Sequence, residues 1–97
     1  MSQYDTKGLH EFLMHTPEGG LRKMLVDKTT VTDAHFNLLM KIVKGCSADD
    51  FATHCTNKTL PKIRLGPAET KIKDKFWDEC IAACVARGIL QPATSAA

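Results

Sequence analysis

The chain has 97 residues, of which 43% are hydrophobic and 25% charged, and its formal net charge is +2 at pH 7. That length suits one domain with a core that needs no metal or disulfide staple, and the composition excludes a disordered or low-complexity chain. The mild positive charge neither demands nor excludes a polyanionic partner.

The opening stretch MSQYDTKGLHEF has no apolar core of signal-peptide length behind a basic start, and no run approaches the roughly 20 apolar residues that cross a bilayer. The expected setting is therefore a reducing cytoplasm, with no membrane association. Residues 1–4 are expected to be a loose end. From Asp5, the spacing of Leu9, Phe12 and Leu13 predicts a short amphipathic helix to about His15. Thr16-Pro17-Glu18 then reads as a second start, with a capping hydroxyl, a proline at the first helical position and an early carboxylate. Leu21, Met24 and Leu25 give that helix a narrow apolar stripe, and Lys28-Thr29-Thr30 ends it.

Thr32-Asp33 opens a third helix that Gly45 closes. Phe36, Leu39, Met40 and Val43 form its main face, broadened by Ala34, Leu38 and Ile42. A surface helix needs an apolar arc somewhat wider than 100°, and this one clearly exceeds it. Ser47-Ala48-Asp49-Asp50 caps a fourth helix through Cys55. Pro61 and Pro67 keep the following segment from being helical throughout, and Lys62-Ile63-Arg64-Leu65 alternates as a short extended piece does.

The longest uninterrupted helical pattern is Gly66–Gly88, read as one helix over about 67–87. Pro67 suits its first turn, and Gly88 suits the left-handed residue that ends it. Ile72, Phe76, Cys80, Ala83 and Cys84 form one stripe, and Trp77, Ile81 and Val85 form a second beside it. Residues 91–97 are expected to be a loose tail. The expected fold is a single all-α domain over 1–97, a compact bundle or orthogonal array of about five helices organised around the long C-terminal one.

Chemistry is sparsely signalled. Cys46, Cys55, Cys80 and Cys84 match none of the paired spacings of structural zinc sites, and both helical cysteines lie within apolar stripes, so they read as small buried hydrophobes. His10, His15, His35 and His54 are scattered and belong to no paired motif. Gly19-Gly20 beside Arg22 and Lys23 lacks the strand and the hydroxyl of a phosphate loop. No catalytic residue, metal, cofactor or small-molecule substrate is expected, and the chain reads as a non-enzymatic binding protein.

Two binding surfaces compete. The over-apolar faces point to a regulatory or adaptor protein that binds a protein partner or a second copy of itself, with Phe36, Met40, Trp77 and Ile81 as contact residues. The alternative is a nucleic-acid-binding regulator that touches phosphates through Lys58, Lys62, Arg64, Lys71, Lys73 and Lys75, six cations facing only Glu69 and Asp74 in that span. The bland account of those lysines is a solvated face, with Glu69 pairing Lys73 and with Asp78 or Glu79 pairing Lys75.

Overall fold

The computed structural model describes residues 4–26 and 30–92. Six helices follow one another: α1 (Thr6–His15), α2 (Glu18–Leu25), α3 (Asp33–Gly45), α4 (Ala48–Asn57), α5 (Pro67–Ile72) and α6 (Phe76–Ala86). The described residues contain no strand, and no helix among them is long and apolar enough to cross a membrane.

Local signals set most helix starts. Asp5 caps α1 by accepting a hydrogen bond from the Gly8 amide at 3.0 Å, and Ser47 caps α4 by accepting one from the Asp50 amide at 3.1 Å. Thr16 behaves differently from its expected role as the cap of α2. Its hydroxyl donates back to the Phe12 carbonyl at 2.7 Å, closing α1, while Pro17 stands at the cap position of α2. The segment after α2 includes Lys28 and Thr29, which lie outside the described residues.

The helix expected over 67–87 is two helices. Lys73-Asp74-Lys75 forms a turn between α5 and α6. These three residues offer no apolar surface to bury, so straightness gains nothing there. The two halves also answer to different partners: α5 is tied to α3 through Glu69, while Phe76 and Trp77 pack against His35 and Phe51. The end of α6 is as expected. Gly88 has a φ of 77°, and the Ile89 amide bonds back to the Cys84 carbonyl at 3.0 Å.

The organising element is α3. All five other helices pack against it, and α1 packs against α4 beside it. Its excess apolar arc is thus consumed inside the chain, where Phe36, Leu38, Leu39, Met40, Ile42 and Val43 are all buried. His10 of α1 fastens the far end of α3: its Nε2 lies 3.1 Å from the Val43 carbonyl and 3.0 Å from that of Cys46, so it donates to both. The chain ends meet too. Tyr4 forms an antiparallel bridge with Pro92, and the Asp5 amide donates to the Gln91 carbonyl at 2.9 Å. Tyr4, Gln91 and Pro92 are therefore held in place rather than loose, and the rest of the two expected tails, 1–3 and 93–97, lies outside the described residues. The 62–65 piece is an irregular loop that lays Ile63 and Leu65 against the core.

Candidate functional sites

Three of the four expected contact residues are core residues. Phe36 is 1% exposed, Met40 5% and Trp77 4%. Their burial has a direct physical cause. Phe51 and Phe76 stand edge-on to Trp77 with centroids 5.7 and 4.9 Å away, and the indole N–H donates to the Thr59 carbonyl at 2.7 Å. A ring enclosed on its faces and satisfied at its polar edge offers a partner nothing. Met40 does reach one margin of a hollow of about 300 Å³ that Leu13, Met14, Pro17 and the Lys44–Glu18 ion pair also line.

Ile81 is different, being only half-buried. Helix α6 reads FWDECIAACVA, apolar around most of its circumference, so one interior cannot take all of it. Phe76, Trp77, Cys80, Ala83 and Cys84 turn inward, leaving Ile81, Ala82, Val85 and Ala86 along the outer side. Those four residues line an open groove of about 670 Å³, walled by Tyr4 and Thr6 at the start of α1 and by Cys55, Thr56 and Lys58 at the end of α4. Val85 is 41% exposed, one of two large hydrophobic residues left open among the described residues, the other being Met14. The charges at the rim neutralise each other, with Lys58 Nζ 2.6 Å from Asp78 Oδ1.

Cys55 at the wall of the groove and Cys80 and Cys84 on the inner side of α6 are all buried. Burial pushes the Cys55 thiol up to about 11 and that of Cys84 up to about 12, and it raises Cys80 well above its ordinary value. Such thiols stay protonated at neutral pH and behave as small hydrophobes. All four cysteines are free, and no group of three or more His, Cys, Asp or Glu among the described residues is arranged to hold a metal ion.

The six cations expected to meet phosphates separate into two sets. Lys58 is taken by Asp78. Lys62, Arg64, Lys71, Lys73 and Lys75 are exposed, and none of them has an ion-pair partner among the described residues. The acids that sequence proximity assigns to them are bound elsewhere. Glu69 is 6% exposed and accepts from Lys41 Nζ and from the Gly66 amide, both at 2.8 Å, which holds its carboxyl below the usual range. Asp78 takes Lys58, and Glu79 takes His35.

That last contact belongs to a cluster that sequence spacing does not reveal. The Thr32 amide donates to His35 Nδ1 at 3.0 Å, which makes Nδ1 the acceptor and leaves the hydrogen on Nε2. Nε2 then donates to Glu79 Oε1 at 2.9 Å. The Thr32 hydroxyl lies 2.8 Å from Nδ1, so hydroxyl, imidazole and carboxylate stand in the order that activates a nucleophile. Nδ1 is already occupied by the backbone of Thr32 itself, and the imidazole is stacked 6.4 Å from the Phe76 ring, so the cluster caps α3 and pins it to α6.

The chain matches no protein-family model, no curated protein and no solved structure.

Proposed function

We propose that the chain is a non-catalytic regulatory or adaptor protein that seats an amphipathic helix of a protein partner in the groove along α6. The observation that carries this reading is the outward row Ile81, Ala82, Val85 and Ala86, an apolar strip two turns long on a helix whose other side is already packed. A partner helix presenting anchors at i, i+3, i+4 and i+7 would lie along such a strip, with the small alanines allowing close approach. The mutually neutralised rim charges at Lys58 and Asp78 favour an apolar occupant over a charged small molecule. Of the four contact residues expected from sequence, Phe36, Met40 and Trp77 are buried, and the proposed contact set is Ile81, Ala82, Val85 and Tyr4.

A photo-crosslinking amino acid placed at position 85 in the source cell is expected to give a discrete protein adduct. The same residue at position 14, an exposed hydrophobic position outside the groove, is the control. Val85→Glu is expected to abolish the interaction while leaving stability within about 0.5 kcal/mol, as surface changes do. Adducts of equal pattern and yield at both positions would mean that the groove has no dedicated occupant.

A further inference from the structure

We infer that segment 62–75 is a second, separate interaction surface, and that it binds the phosphate backbone of duplex nucleic acid without reading its sequence. Gly66–Glu69 and Lys41 form one knot: Lys41 Nζ bonds Glu69 Oε1 at 2.8 Å and reaches the Arg64 carbonyl at 3.5 Å, and the Gly66 amide bonds the same carboxylate oxygen. This knot turns Glu69 and Ile72 toward α3 and leaves Ala68, Thr70 and Lys71 on the outer side of α5. The same Lys41 thus holds the loop at Arg64, through its carbonyl, and the helix that carries Lys71, through Glu69.

With Glu69, Asp78 and Glu79 engaged elsewhere, five cations of a 14-residue segment have no ion-pair partner among the described residues, and Asp74 is the one other acid within the segment. Phosphates follow each other at about 3.4 Å per strand along a duplex, a charge density such a cluster complements. Four of the five are lysines, which act as point charges rather than as bidentate base readers. The nearest aromatic rings, Phe76 and Trp77, are 0% and 4% exposed. The segment itself holds no aromatic residue on which successive unpaired bases could stack, so the surface suits a duplex better than a single strand.

The test is fluorescence anisotropy with a labelled duplex of about 20 base pairs, titrated at low and at near-physiological salt. If all five cations engage, affinity is expected to fall roughly 500-fold between about 50 and 200 mM salt, and to vary little with duplex sequence. Lys71→Glu/Lys73→Glu is expected to weaken binding at least about tenfold more than Lys23→Glu/Arg87→Glu, which changes net charge equally at exposed positions outside the segment. Unchanged Trp77 emission confirms that each variant is folded, and Lys62→Gln/Arg64→Gln provides a milder second variant. Equal losses in the two double variants would overturn the proposal, as would no duplex binding at low salt. Binding to vesicles rich in anionic lipid with none to duplex would overturn it in favour of a membrane surface.

Discussion

Replacing Trp77 by alanine is expected to remove about 3–5 kcal/mol of stability, the usual cost of deleting a large ring from a packed core. A domain of this size has about 5–15 kcal/mol in total, so the variant should be largely unfolded well below the wild-type denaturation midpoint. The loss has two sources, the vacated space between Phe51 and Phe76 and the Thr59 carbonyl left without its donor. Trp77→Phe separates them. It keeps a ring and loses the N–H, and should cost about 1–2 kcal/mol. Because the chain holds a single tryptophan, its emission follows wild-type unfolding directly, and circular dichroism serves for both variants. A Trp77→Ala protein as stable as wild type would mean that the indole lies on a surface.

The second large effect is expected at His35, which is 2% exposed and links residues 44 positions apart in sequence. His35→Ala removes the acceptor for the Thr32 amide and the donor for Glu79, and leaves a hole beside Phe76. Together these should cost about 2–4 kcal/mol by chemical denaturation. Glutamine at 35 can still accept from Thr32, as residues of that type do in a capping box, and should recover part of the loss. Glu79→Gln retains an acceptor for Nε2 and is expected to cost under about 1 kcal/mol. An alanine variant as stable as Glu79→Gln would reduce the cluster to an exposed cap.

These positions mark where the sequence is legible and where it is not. Asp5, Ser47 and Gly88 act on backbone groups within a few residues, so their caps can be read directly from local pattern. The turn at Lys73–Lys75 cannot. The apolar stripe runs on through Ile72, Phe76 and Cys80, and only the competing attachments of Glu69 to α3 and of Phe76 to His35 break the axis. The same limit explains the candidate contact residues. Periodicity shows two apolar stripes on α6, but which of them is covered depends on Phe51 and Thr59, which belong to other elements. Trp77 therefore goes inside while Val85, from the same stripe, stays out. The ion pairs fail for a related reason. An i,i+4 rule assigns Glu69 to Lys73, whereas folding brings Lys41 to it from 28 residues away and leaves Lys73 with no ion pair among the described residues.

The central claim is that the chain covers α3 and the inner side of α6 by itself and leaves the outer side of α6 for a partner. Hydroxyl-radical footprinting tests it most directly, applied to the purified wild-type chain alone and to the same chain recombined with the partner that the position-85 cross-link identifies. In the purified chain, Met14, Ile81 and Val85 should be oxidised, while Met40 and Trp77 stay nearly unmodified despite their intrinsic reactivity. In the complex, Ile81 and Val85 should fall silent and Met14 should not. Oxidation of Trp77 or Met40 to the level of Met14 in the purified chain would contradict the account, and so would unchanged labelling of Val85 in the complex.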